Sequence, residues 1–153
     1  MEAEKLRVRR LIKALFKIDE VYFKSEQNLN LTGSELCLLY ALDDGEPKSQ
    51  RQISEEWMIS KTTLNTIVKK WERQGLLQLS KVPGTRRELA LSLTEEGRTF
   101  AARYNEPVYR VETAALARTV ARYGESFIEA IEEFGLALQD EFERQSAEKG
   151  EEK

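Results

Sequence analysis

The sequence contains no histidine, which removes the commonest general base and the commonest transition-metal ligand together. Its single cysteine, Cys37, excludes an internal disulfide and any zinc site built on several thiolates, and fits a reducing compartment. No stretch approaches the ~18 uninterrupted apolar residues of a bilayer span, and the opening Met1-Glu2-Ala3-Glu4-Lys5 has no apolar leader core. A soluble, cytoplasmic chain without membrane contact is therefore expected. Neither a nucleophile motif nor a phosphate loop is present, and the 27 acidic residues fall mainly on faces of expected helices, where solvated charge is their ordinary role. These absences argue against an enzyme, a metal site and a cofactor.

What is present is enough apolar material, 41% of 153 residues, for one folded core. The net charge of −3 looks unfavourable for contact with a polyanion, but it is unevenly spread. Between Lys48 and Leu93 stand nine basic residues (Lys48, Arg51, Lys61, Lys69, Lys70, Arg73, Lys81, Arg86, Arg87) against four acidic ones. Such segregation is the electrostatic footprint of a segment that meets phosphate.

Residues 3–27 read as one amphipathic helix, with Val8, Leu11, Leu15, Ile18 and Tyr22 at three- and four-residue steps. Thr32 with Glu35 forms a capping box that opens a short apolar helix to Leu42, stopped by Asp43-Asp44-Gly45. Ser49 with Gln52 forms a second, opening a helix expected to end near Met58. Ser60 caps a third over 61–74, closed by Gly75. Two short helices joined by a tight break are the geometry of a helix-turn-helix. Residues 76–81 and 88–93 alternate as half-buried strands around Pro83-Gly84, a hairpin carrying Arg86 and Arg87 near its tip. Thr94 then caps a helix to about Ala121, with Pro107 inside it, and a last helix carries the seam Phe127, Ile131, Phe134, Leu138 and Phe142.

On the 61–74 helix, Leu64, Ile67, Val68 and Trp71 share one face and turn inward. The opposite face presents Thr62, Asn65, Thr66 and Lys69, flanked by Ser60, Lys61, Thr63 and Lys70. A major groove ~12 Å wide admits one helix, in which Asn can read adenine and Thr can bond a base edge or touch a thymine methyl. Arg86, Arg87 and Lys81 of the hairpin suit a narrow minor groove or its phosphates. Ser49, Gln50 and Arg51 at the preceding helix start suit phosphate. A solvated polar face would explain any one of these features, whereas all three in one module indicate duplex DNA.

The order Ile59-Ser60-Lys61-Thr62-Thr63-Leu64, Gly75-Leu76-Leu77, Pro83 with Arg86-Arg87, and Leu93-Thr94-Glu95-Glu96-Gly97 resembles the recognition helix, strand entry, wing and post-wing helix of the MarR (multiple-antibiotic-resistance regulator) family. The resemblance implies a mainly α winged helix-turn-helix with a small antiparallel hairpin. It further implies a homodimer built from N- and C-terminal helices, a pseudo-palindromic operator, and repression relieved by a small, often aromatic or phenolic ligand. Thr85 stands where family wings usually carry an aspartate, and Trp71 where a leucine is usual. Asn65-Thr66 replaces a frequent threonine-arginine pair.

The expected layout is a dimerisation helix over 1–30, the DNA-binding module over 31–97, dimerisation helices over 98–147 and a disordered tail over 148–153. Val8, Leu11, Leu15, Phe127, Ile131, Phe134 and Leu138 are the residues expected between two chains, because no sheet of their own covers them. Tyr22, Tyr40, Trp57, Tyr104 and Tyr109 are ordinary core residues or ligand lining. Two other readings remain: a winged helix that docks protein instead of DNA, and a thiol switch at Cys37, whose neighbours are apolar and offer no cation.

Overall fold

The structure, a computed structural model, describes residues 1–27, 29–81 and 89–151. Its described elements are α1 (Glu2–Glu26), α2 (Gly33–Ala41), β1 (Lys48–Ser49), α3 (Gln50–Glu56), α4 (Lys61–Arg73), β2 (Leu77–Lys81), β3 (Leu89–Leu93), α5 (Glu95–Tyr123) and α6 (Ser126–Glu151). The fold is mainly helical with a small antiparallel sheet, as the sequence predicts. Two compact units divide the chain, Met1–Glu106 and Pro107–Lys153.

In the first unit, both capping boxes form. Thr32 Oγ1 accepts from Glu35 N and the Glu35 carboxylate accepts from Thr32 N, and Ser49 with Gln52 does the same at α3. Each satisfies two backbone donors that a helix start leaves open. The core gathers Leu38, Leu39 and Leu42 around α2, Ile53 of α3, Ile59, the inner face of α4, Leu77, Leu91 and Leu93 of the sheet, and Ala101 of α5.

The sheet has three strands in the order β1-β3-β2, both pairings antiparallel. Leu77 opposes Leu93 and Leu79 opposes Leu91, the register set by the alternation of leucines. The two-residue β1 pairs Lys48 with Leu91 and Ser49 with Ala90, and is an addition to the expected hairpin. It makes β3 the central strand, and Ala90, on the face that the alternation of leucines leaves to solvent, is buried as well as Leu91. The hairpin tip, with Pro83-Gly84, Thr85, Arg86 and Arg87, lies outside the described residues.

α3 stops at Glu56, two residues earlier than expected, because Met58 takes a left-handed backbone with φ 52° and breaks the helix before Ser60 can cap the next. α5 runs to Tyr123 with Pro107 inside; the ring leaves the Arg103 carbonyl without its helical donor but does not end the helix. In the second unit, Gly124 at φ 82° separates α5 from α6. α6 continues through Glu151, so the described part of the expected tail, from residue 148 to 151, is helical, a correction to that expectation. Its frequent Glu, Gln and Ala are good helix formers, and composition alone does not register that. Among the described residues no helix is long and apolar enough to cross a membrane.

Candidate nucleic-acid interface

The candidate reading element is α4, and its orientation follows from where its apolar residues fall. Leu64, Ile67, Val68 and Trp71 are all buried, while Lys61, Thr62, Thr63, Asn65, Thr66 and Lys69 are all exposed. Trp71 fills its position by meeting Phe100 of α5 edge to face, with ring centroids 6.0 Å apart, and Phe100 in turn packs on Tyr104 at 5.1 Å. The larger ring is accommodated by an aromatic stack from the post-wing helix.

Three devices fix α4. At its start the Ser60 hydroxyl accepts from Thr63 N at 3.1 Å and donates to Thr63 Oγ1 at 2.8 Å. At its end Gly75, with φ 72°, closes a Schellman motif in which Gly75 N donates to Glu72 O and Leu76 N to Trp71 O. Thr94 secures that end from the other side: its hydroxyl donates to Gly75 O at 2.6 Å and accepts from Gly97 N at 3.0 Å, so one side chain ties the close of α4 to the start of α5. The third device is an ion pair from the flank of α4, Lys70 Nζ to Glu35 Oε1 at 2.6 Å.

The outward face carries chemistry suited to base edges. The side chains of Asn65, Thr62, Lys61 and Lys69 make no hydrogen bond or ion pair among the described residues. Thr66 donates its hydroxyl to the Thr62 carbonyl at 3.0 Å, leaving an acceptor oxygen and a methyl turned outward. Arg73, one turn beyond Lys69, donates to the Lys69 carbonyl at 3.0 Å and stays exposed. Sequence reasoning left Arg73 out of the interface, although its four-residue spacing from Lys69 signals a shared face.

Other expected contacts are placed differently. Lys70 is engaged with Glu35 rather than held out on the reading face. Ser49 is buried and spends its hydroxyl on the α3 cap, so that side chain is not offered to phosphate. Gln50 is half-buried beside it, and Arg51 is exposed but paired with Glu55 at 2.9 Å. Lys81 is exposed at the end of β2. Arg86 and Arg87 lie outside the described residues.

Glu35 is buried, which alone pushes its carboxyl up; hydrogen bonds from Lys70 and from the Thr32 backbone and hydroxyl, with the Lys70 charge, outweigh this and hold it below the usual glutamate range. Cys37 is half-buried, and burial, aided by the charge of Glu26, pushes its thiol up. That environment suppresses the thiolate a redox switch uses. Tyr40 and Trp57 stack at 5.5 Å, as part of the packing around the core. Asn105, which sequence reasoning passed over, is buried with its Nδ2 unpartnered. No group of three or more Cys, Asp or Glu able to hold a metal occurs among the described residues.

A capped helix-turn-helix followed by a strand-entry turn, a small antiparallel sheet and a post-wing helix defines a winged helix-turn-helix protein. The comparisons make the class more specific. Residues 29–88 match the profile of the MarR family. The chain is similar to NMB1585, a MarR family regulator from Neisseria meningitidis, at 25% identity and TM-score 0.72, over 93% of this chain and 97% of that one. It shares the fold of MepR from S. aureus, solved in a DNA-binding conformation, with TM-score 0.70 at 13% identity over 83% of this chain and 98% of that one. It is 36% identical over 67 residues to the transcriptional repressor NicR of Pseudomonas putida (strain KT2440); the match covers 44% of this chain and spans 42% of that relative. Residues 29–88 thus match the MarR family, and the chain as a whole has the fold of a MarR family regulator.

Proposed function

We propose that this protein is a sequence-specific, duplex-DNA-binding repressor that acts as a homodimer, with α4 of each chain in successive major grooves of a pseudo-palindromic operator. One observation carries the reading: α4 commits a complete apolar face to the core and turns Thr62, Asn65, Thr66 and Lys69 outward with their polar groups largely unspent. The 13-residue helix is about 20 Å long, enough to cross a groove and contact a few base pairs at its N-terminal half. NicR, 36% identical over 67 residues, is a transcriptional repressor, and MepR adopts the same fold in a DNA-binding conformation.

Pairing is supported by two helices with no buried residue among those whose burial is described. α1, of 25 residues, leaves Val8 57% and Leu11 40% exposed, and α6, of 26 residues, leaves Ile131 45% and Leu138 41% exposed. Leu15, Phe127 and Phe134 are only partly covered. Apolar stripes of this length on a lone chain are an aggregation hazard, and a second copy is the economical cover. A two-fold pair would set half-sites ~34 Å apart, one turn of B-form duplex. A small aromatic or phenolic effector belongs to this reading through the family resemblance. The buried, unpartnered Nδ2 of Asn105 is compatible with a polar ligand group.

The test is selection from random duplex by the purified full-length protein, with the sequences recovered. Recovery of an inverted repeat with half-sites about one helical turn apart is the expected result; sequences no different from the starting pool would overturn the reading.

A further inference from the structure

An apolar stripe holds a helix against a core without fixing its roll, because the hydrophobic effect has no direction. α4 is held inward by Leu64, Ile67, Val68 and Trp71, and a reading helix whose roll is loose presents its base-facing groups in no single register. Lys70 lies on the flank of α4, one residue and therefore about 100° around the helix from Lys69. Its ammonium meets Glu35 Oε1 at 2.6 Å, while Oε2 of the same carboxylate accepts from Thr32 N at 2.8 Å and Thr32 Oγ1 at 3.1 Å. One carboxylate thus spends one oxygen on the cap of α2 and the other on α4. The Glu35 side chain is 6% exposed and that of Lys70 49%, so the bond joins an element anchored in the core to a helix at the surface.

We infer that Glu35 and Lys70 are positioning residues for the recognition helix: the Thr32–Glu35–Lys70 bridge sets the roll of α4, and Lys70 is not a phosphate contact. The inference rests on the DNA-binding reading for its consequence, but the bridge itself exists without DNA. A carboxylate at this depth requires its cation, since removing one partner of a buried pair leaves the other uncompensated.

The two roles for Lys70 predict opposite signs for Glu35→Gln. If Lys70 gripped phosphate, removing the competing carboxylate would free it, tightening duplex binding and steepening its salt dependence. A positioning role predicts that Glu35→Gln and Lys70→Met each weaken binding to the selected site by roughly five- to a hundredfold, with the slope against salt unchanged. Lys70→Arg, which retains the pair, should bind within about threefold of wild type. Affinities are measured on the full chain across a salt series. Tighter binding by Glu35→Gln, or a slope reduced by about 0.9 in Lys70→Met, overturns the inference.

A readout without DNA keeps the two readings separable. In the free protein, hydrogen exchange should show that Glu35→Gln and Lys70→Met each lower the protection of α4 amides, and that the double variant lowers it no further than Lys70→Met alone. Additive losses in the double variant, or α4 protection equal to wild type in both single variants, reject the bridge. Should wild type select no duplex while the non-additivity holds, the DNA reading falls and the bridge stands. If Glu35→Gln does not fold, Lys70→Met and Lys70→Arg decide through the slope and through α4 protection, since the Lys70 head is half exposed.

Discussion

A methyl group added at Gly97 would stand 2.0 Å from the Leu76 carbonyl oxygen and 3.3 Å from Leu93 Cβ. The glycine ending Leu93-Thr94-Glu95-Glu96-Gly97 is therefore a point where the first turn of α5 passes hard against the strand entry after α4. Gly97→Ala should cost about 1–3 kcal/mol through forced displacement of that backbone. Thermal unfolding checks it, and an unchanged Tm would show that the approach is looser than the geometry has it. Glu35 gives a second prediction. Its carboxyl is lowered in the folded chain, so its contribution to stability is complete above the ordinary glutamate value of 4.5 and is lost as pH falls through the lower folded value. Wild type should thus lose stability relative to Glu35→Gln on acidification below about pH 4.5, and the gap between them should be constant from pH 6 to 8. Denaturant unfolding at several pH values reads this directly. A gap independent of pH throughout would mean that the carboxylate is not held ionised.

Elements differ in how openly the sequence announces them. α2, α3 and α4 are legible because Thr32-Glu35, Ser49-Gln52 and Ser60 carry capping chemistry in a few adjacent residues, and Gly75 supplies the matching stop. The inner face of α4 is legible from its period. β1 is not, because two residues offer no alternation and its pairing with β3 spans more than forty residues of chain. Met58 is likewise hidden: nothing in a methionine announces a φ of 52°, and here it stands 90% exposed where glycine would serve without strain. The Lys70 partner was out of reach for the same reason, since Glu35 lies 35 residues away and each residue already had a local explanation. Thr94 shows how such links matter to an element. Thr94→Ala removes both the bond to Gly75 O and the acceptance from Gly97 N, and should cost about 1–2 kcal/mol. Hydrogen exchange should show weakened protection at the end of α4 as well as at the start of α5; loss confined to α5 would mean that the threonine is only a cap.

For the whole molecule, charge is sorted more finely than the basic mid-chain alone reveals. Lys5, Arg7, Arg9, Arg10, Lys13 and Lys17 follow one another along α1 with no acidic residue between Lys5 and Ile18, whereas α6 carries eight acidic residues against Arg144 and Lys149. The opposite signs of α1 and α6 add charge complementarity to the proposed pairing of two chains through these helices, in addition to the apolar stripes. Leu11→Glu with Leu15→Glu should therefore shift a dimer of about twice 17.7 kDa to the monomer mass in light scattering. Wild type that is monomeric at all concentrations would contradict the pairing.

The central claim is that the outward face of α4 reads bases. Its most direct test is the ratio of affinities for the selected duplex and an unrelated one, compared between wild type and Asn65→Ala at one fixed salt concentration. The account predicts that Asn65→Ala loses about 1–3 kcal/mol on the selected duplex and almost nothing on the unrelated one, so that the ratio collapses. An unchanged ratio would contradict it.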